Sequence, residues 1–133
     1  MKKLFIVSLL SLTSACAPST SNFVHPETSV YVSEFLQKNK TPVPALIVNF
    51  GNAEGSAAIC KQWSNGQSEV IIDANWWGVY CDSQRRGIIF HELGHCIKNR
   101  EHVEFELSYM YPEVQSCPFY EINQDELDSE MFP

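Results

Sequence analysis

The sequence predicts an α+β fold in which a small mixed or antiparallel sheet packs on two helices and disulfides stabilise the domain. Two apolar, strand-like runs, 57–63 and 69–73, flank Asn65-Gly66, and Asn-Gly between such runs is a strong hairpin signal. A helical pattern follows between residues 82 and 99. Beyond residue 50 there are four cysteines, an even number that suits two disulfides in an exported domain.

The first 15 residues have the pattern of a bacterial lipoprotein signal peptide. Lys2 and Lys3 provide a positive start, and residues 4–12 form an apolar run too short to cross a bilayer. Small residues then precede Cys16, which resembles the cleavage box of lipoproteins whose first mature residue is an acylated cysteine. An ordinary secretory signal is the alternative, and both predict export.

A short linker is expected after the lipidated cysteine. Residues 16–24 have linker composition, and we assign residues 25–133 to one folded domain with an acidic C-terminal tail. The acyl chains on Cys16 would anchor the domain to a membrane surface. The residue after Cys16 is Ala17 and not Asp, as in lipoproteins sorted to the outer membrane of Gram-negative cells, which this segment resembles.

Two elements are predicted before the hairpin. Val30, Phe35 and Leu36 lie near helical spacing within residues 26–40, which predicts a first amphipathic helix. Residues 45–50 form a short apolar run that ends in a turn and predicts a strand.

The four cysteines of the domain are Cys60, Cys81, Cys96 and Cys117, and they allow three pairings. We favour Cys96 with Cys117, because that bridge would tie the end of the second helix to the segment after it. Cys60 would then pair with Cys81. A zinc site built from cysteines is disfavoured, since none of the four has C-x-x-C spacing.

The charge of the chain argues against a nucleic acid as the partner. The formal net charge is −7, and nucleic-acid binding requires a basic surface that neutralises phosphates. Acidic residues concentrate near the C-terminus, which we expect to be a solvated face or a frayed tail. They are Glu121, Asp125, Glu126, Asp128 and Glu130.

The most informative motif is His91-Glu92-Leu93-Gly94-His95. On a helix, positions i and i+4 share a face, so both imidazoles can bind one metal ion. Glu92 is placed to take a proton from a water that the metal activates. This pattern is typical of a zinc hydrolase, most often a peptidase.

The motif histidines are not expected to be core residues. At about 100° per residue, Ile89, Phe90, Leu93 and Ile97 form one apolar stripe on the same helix. The two histidines point to nearly the opposite side, so the stripe should pack on the sheet and leave the imidazoles available for a ligand.

A catalytic zinc site normally has three protein ligands and one water. His102 lies seven residues after His95, and a continuous helix would carry it away from the metal. Asn99 can end the helix, because Asn tolerates the left-handed conformation, and the chain would then turn back. His102 is therefore the candidate third ligand.

The segment 108–112, Ser-Tyr-Met-Tyr-Pro, strengthens this assignment. It resembles the Met-turn of the metzincin peptidases, and the Met-Tyr-Pro form is that of the matrixin branch. In the metzincin signature H-E-x-x-H-x-x-G-x-x-H the third histidine lies one residue closer to the second than His102 lies to His95. Lys98 occupies the position of the signature glycine. If Asn99 replaces that glycine after a one-residue insertion, the geometry is kept. The chain is also similar to small bacterial lipoproteins with a His-Glu-Leu-Gly-His-Cys motif.

The resemblance implies a compact zincin domain with one catalytic Zn²⁺ held by His91, His95 and His102. Met110 would lie beneath the metal, and Glu92 would be the general base. The expected activity is hydrolysis of a protein or peptide substrate, aligned by backbone pairing with a strand at the sheet edge.

Two alternatives remain open. Glu121 begins a faint echo of the gluzincin E-x-x-x-D helix and is a second candidate for the third ligand. The second alternative is that the chain is a lipid-anchored envelope protein that binds a metal or a partner without turnover. Glu92 argues against the latter, because a structural zinc site has no use for a base.

Overall fold

A computed structural model describes residues 22–42 and 45–133 of the chain. The predicted signal peptide, the lipidation site Cys16 and most of the predicted linker lie outside these residues. Within the described part, no helix combines the length and the apolar character needed to cross a bilayer.

The described chain combines one four-stranded sheet with several helices, and the α+β class is confirmed. A single 3₁₀ turn at Pro26–Thr28 leads into the first helix, as expected for a proline at a helix start. In chain order the elements are β1 (Phe23–Val24), α1 (Ser29–Lys38), β2 (Leu46–Phe50), β3 (Ala58–Gln62), β4 (Ser68–Ile72), α2 (Ala74–Val79), α3 (Asp82–Lys98), α4 (Cys117–Ile122) and α5 (Gln124–Met131).

The four strands form one mixed sheet in the order β1-β2-β4-β3. β2 is parallel to β1 and β4, whereas β3 and β4 form the predicted antiparallel hairpin, with Cys60 opposite Val70. Gly66 in the connecting turn has φ of 84°, the left-handed conformation that the Asn-Gly signal implies. β3 is consequently an edge strand.

The first strand corrects the predicted domain boundary. Phe23 and Val24 pair with Ile47 and Val48 of β2, although residues 16–24 were assigned to the linker. Only two residues form this strand, and its pairing with β2 is not visible as a local pattern. The folded domain therefore includes residues before 25.

The core lies between one face of the sheet and helices α1 and α3. Ile89, Phe90 and Leu93 of the predicted stripe are fully buried, and Phe90 packs edge-on against Phe35 of α1 with ring centroids 5.3 Å apart. Val30, which was expected on the apolar face of α1, is 65% exposed. Tyr31 and Val32 are buried beside Phe35 instead.

The favoured disulfide pairing was wrong. Cys60 is bonded to Cys96 and Cys81 to Cys117, with Cα–Cα distances of 5.6 and 6.4 Å. Because α3 lies against the hairpin, its C-terminal end meets β3. Cys81 lies just before the other end of α3, where α4 begins, and a helix of that length separates the two ends by about 25 Å. Cys96 therefore cannot reach Cys117.

The prediction of a frayed tail was wrong, and the prediction of a solvated face is correct only in part, because some of the acidic residues are exposed and others are not. The segment forms α5, in which Leu127 and Met131 are fully buried one turn apart. Asp128 and Glu130 are partly buried and form ion pairs with Arg86 and Arg100. The segment is therefore an amphipathic helix, and the residues that pair with its acidic side chains lie far away in the sequence.

Candidate metal centre

Helix α3 presents the first two histidines of the site. One turn apart on the helix, His91 and His95 bring their Nε2 atoms to 3.1 Å from each other. Asn99 then ends the helix in the left-handed conformation, with φ 52° and ψ 38°. The N–H of Arg100 donates to the carbonyl of Gly94 at 3.0 Å, which folds the chain back along the helix.

This reversal brings the predicted third histidine to the other two. The Nε2 of His102 lies 3.1 Å from the Nε2 of His91, and one ligand atom from each of the three imidazoles lies within 4.8 Å of the others. Asn99 thus ends the helix in the predicted left-handed conformation, and the chain after it returns His102 to the two helical histidines.

The three histidines form a group that can hold a metal ion. Tetrahedral zinc binds imidazole nitrogens at about 2.0–2.1 Å, which places two such ligands roughly 3.3 Å apart. The two observed separations of 3.1 Å are close to that value. The donor set and its spacing therefore fit a zinc-sized ion.

Backbone carbonyls fix the orientation of the two helical histidines. The Nδ1 of His91 lies 2.5 Å from the carbonyl oxygen of Tyr109, and the Nδ1 of His95 lies 2.7 Å from that of Arg100. A carbonyl only accepts hydrogen bonds, so each Nδ1 carries the proton and each Nε2 of the neutral ring carries a lone pair.

The same two rings are held in the neutral form that metal ligation requires. Burial lowers the pKa of His91 to about 4, and burial also lowers the pKa of His95. Their Nε2 lone pairs then face each other at 3.1 Å with no proton between them. A bound cation removes this repulsion.

Glu92 lies beside the histidines and is buried, with 7% of its surface exposed. Burial raises the pKa of its carboxyl to about 7, against the opposing effect of a hydrogen bond from the Cys60 backbone. A carboxyl with a pKa near neutrality can both accept and return a proton at physiological pH.

The segment resembling a Met-turn is a tight turn in the structure. The N–H of Tyr111 donates to the carbonyl of Ser108 at 3.2 Å. Met110 is fully buried against α3, and a Cβ added to Gly94 would lie 2.4 Å from its Sδ. The glycine of the motif thus allows the methionine to contact the helix backbone between the two histidines.

A cleft of about 800 Å³ contains the three histidines and Glu92. Strand β3 forms one wall, and the turn after Met110 contributes Tyr111 and Pro112 to another. Sequence reasoning did not place Tyr120 or the stacked pair Trp76 and Tyr80 in this wall. Helical spacing within residues 74–80 was the available signal for that pair.

The free edge of β3 faces the cleft. The N–H of Trp63 donates to Gln67 and that of Asp73 to the carbonyl of Ala57. In an antiparallel pair these bonds alternate along the strand. The backbone groups of Ala58, Cys60 and Gln62 consequently point away from β4.

The structure does not bring Glu121 to the site. Glu121 lies on α4, is exposed, and is not among the residues that line the cleft. Over residues 22–42 and 45–133, the three histidines are the only group of three or more potential ligands close enough to hold one ion. His102 occupies the place for which Glu121 was the alternative.

Comparison with known proteins identifies no relatives. No protein-family model, no curated protein and no solved structure matches this chain. The function is therefore inferred from the site itself.

Proposed function

We propose that this protein is a zinc-dependent peptidase of the metzincin type. The single observation that carries the proposal is the convergence of three imidazole Nε2 atoms, with separations of 3.1 Å along the group, beside a buried carboxylate in an open cleft. Neutral imidazoles suit transition metals rather than Ca²⁺ or Mg²⁺, and zinc is the usual choice for hydrolysis.

His91, His95 and His102 would hold the ion, which when bound lowers the pKa of a water and polarises the scissile carbonyl. Glu92 takes a proton from the attacking water as its oxygen bonds to the carbonyl carbon. Glu92 then delivers that proton to the amide nitrogen as the C–N bond breaks. In the metal-free protein burial raises the pKa of Glu92 to about 7, so this carboxyl takes up a proton more readily than an exposed one.

The shape of the cleft favours a peptide as the substrate. An extended chain can pair with the free backbone groups of β3, as in strand addition to a sheet edge. Ala58 and Gln62 offer such groups on either side of Cys60, whose N–H donates to Glu92. The scissile bond would then lie across the histidine group.

The cell envelope is the proposed location. Two disulfides stabilise the described domain, which suits an oxidising compartment. Lipid anchoring depends on Cys16, and a chain anchored through this cysteine would act on proteins or peptides at a membrane surface.

The decisive experiment replaces Glu92 by Gln in the zinc-loaded chain. We expect zinc to remain bound at one ion per chain, while cleavage of a fluorescently labelled unfolded protein falls by at least about 10²-fold. Glu106→Gln, which removes an exposed carboxylate outside the cleft, is the matched control and should leave both quantities unchanged.

Two results would count against a peptidase. A zinc-loaded parent without cleavage would favour the non-catalytic metal-binding alternative. Equal cleavage by the parent and by Glu92→Gln would remove Glu92 from the mechanism.

A further inference from the structure

We propose that helix α5 is a positioning element of the metal centre and that Glu130 is its principal positioning residue. This inference depends on the proposed function, because it assigns α5 a role in orienting the zinc ligands. Glu130 does not contact the histidines. It contacts the two segments whose backbone carbonyls orient them.

The first connection leads from Glu130 to His95. The carbonyl oxygen of Arg100 lies 2.7 Å from the Nδ1 of His95 and sets the orientation of that ring. The guanidinium of the same arginine donates to both carboxylate oxygens of Glu130, with Nη1 to Oε2 at 3.0 Å. The bidentate pair fixes the residue whose backbone holds the ligand.

The second connection leads from Glu130 to His91. Ser108 donates its hydroxyl proton to Glu130 Oε2 at 2.9 Å and accepts the N–H of Met110 at 3.0 Å. Between Ser108 and Met110 lies Tyr109, whose carbonyl orients His91. One carboxylate therefore holds both of the segments whose carbonyls accept hydrogen bonds from the histidines.

Asp128 of the same helix reinforces the second connection. The hydroxyl of Tyr109 donates to Asp128 at 2.9 Å. Arg86, which is buried on α3, donates to both oxygens of Asp128 at 2.9 Å. Tyr109 is thus held at its side chain by α5 as well as through its neighbour in the turn.

This network differs from an ordinary surface ion pair, which contributes little to stability. Arg100 and Glu130 are only 24% and 25% exposed, and Leu127 and Met131 of α5 are fully buried. A Cβ on Gly94 would also meet Met131 Cε at 3.1 Å, so α5 packs against the motif helix between the two histidines. Burial opposes ionisation of Glu130, but Arg100 and Ser108 hold its pKa below the ordinary value.

The test compares Glu130→Ala with Glu126→Ala in the full chain. Glu126 lies on the same helix, is exposed and carries the same charge, so it is the matched control. Glu130→Ala leaves both carbonyls in place but releases the segments that carry them, so we expect zinc transfer to an excess chelator to be about tenfold faster than for the parent, at the lower end of the 10- to 100-fold effect of losing an outer partner itself. The cobalt-substituted protein should show an altered visible spectrum. Equal transfer rates and equal spectra for the parent and both variants would overturn the proposal.

A residue-specific readout separates positioning from general destabilisation. At a temperature where every variant is fully folded, NMR of the histidine Nδ1–H groups should show that Arg100→Ala perturbs His95, Ser108→Ala perturbs His91, and Glu130→Ala perturbs both. Uniform changes in all three variants would mean that α5 only stabilises the fold.

The same NMR measurement on metal-free protein keeps the two proposals distinct. A parent that binds no zinc would contradict the proposed function. If Glu130→Ala then still perturbs both Nδ1–H signals, the positioning role stands, and if it perturbs neither, the positioning role fails.

Discussion

The two disulfides provide a matched pair for separating stability from function. Each closes a loop with a sequence separation of 36 residues. In the chain-entropy description, a loop of that length stabilises the fold by about 4 kcal/mol at 25 °C. Removing either bridge should therefore lower the free energy of unfolding by a similar amount.

Their effects on catalysis should differ. Cys60–Cys96 joins the edge strand β3 to the motif helix directly after His95, and the Cys60 backbone donates a hydrogen bond to Glu92. Cys81–Cys117 joins the starts of α3 and α4. We expect loss of the first bridge to lower kcat/KM for an unfolded protein substrate by about tenfold or more, because a small displacement of catalytic groups has effects of this size or larger.

The assay uses Cys60→Ala/Cys96→Ala and Cys81→Ser/Cys117→Ala, where the serine preserves the helix cap. Urea unfolding of the metal-free proteins gives the stability change, and cleavage by the zinc-loaded proteins gives the rate, both under conditions where each variant is folded. Equal loss of activity in the two variants would refute the special role of Cys60–Cys96. Stability losses that differ by several kcal/mol would refute the chain-entropy reasoning.

Three further predictions concern the motif helix. Burial raises the pKa of Glu92 to about 7, so the free energy of unfolding of the metal-free protein should fall by up to about 3 kcal/mol as the pH rises from 4.5 to 7. In urea unfolding at pH 8, Glu92→Gln should be more stable than the parent by that amount. Burial lowers the pKa of His91 to about 4, so the unfolded chain gains a proton first on acidification and stability falls by up to about 3 kcal/mol between pH 6.5 and 4. These two trends oppose each other in the parent, and the His91 trend should therefore be seen in Glu92→Gln; a flat profile there would contradict it. Gly94→Ala places a Cβ 2.4 Å from Met110 Sδ and should lower the free energy of unfolding by about 1–3 kcal/mol. It should also weaken zinc retention, and unchanged zinc retention would show that the methionine contact does not support the metal centre.

Local sequence patterns were sufficient for the hairpin and for the metal group. Asn65-Gly66 has the backbone preference that the β3–β4 turn requires, and the apolar stripe of α3 sets which side of the helix carries His91 and His95. The return of His102 depended on one further local property, the ability of Asn99 to adopt the left-handed conformation.

The features that sequence reasoning missed depend on contacts between distant segments. Which end of α3 faces β3 decides that Cys96 bonds Cys60, and no spacing within the chain encodes that orientation. An isolated eight-residue helix such as α5 is not stable by itself in water. Its order comes from burial of Leu127 and Met131 and from pairing with Arg100, which lies 30 residues before Glu130.

The most direct test of the three-histidine centre is the zinc content of purified parent, His102→Ala and Glu121→Ala proteins, measured by elemental mass spectrometry after dialysis against a weak chelator. We expect one zinc per chain in the parent and in Glu121→Ala, and little or none in His102→Ala, because among the described residues His102 alone completes the group with His91 and His95. Retention of zinc by His102→Ala together with its loss from Glu121→Ala would contradict the proposed centre.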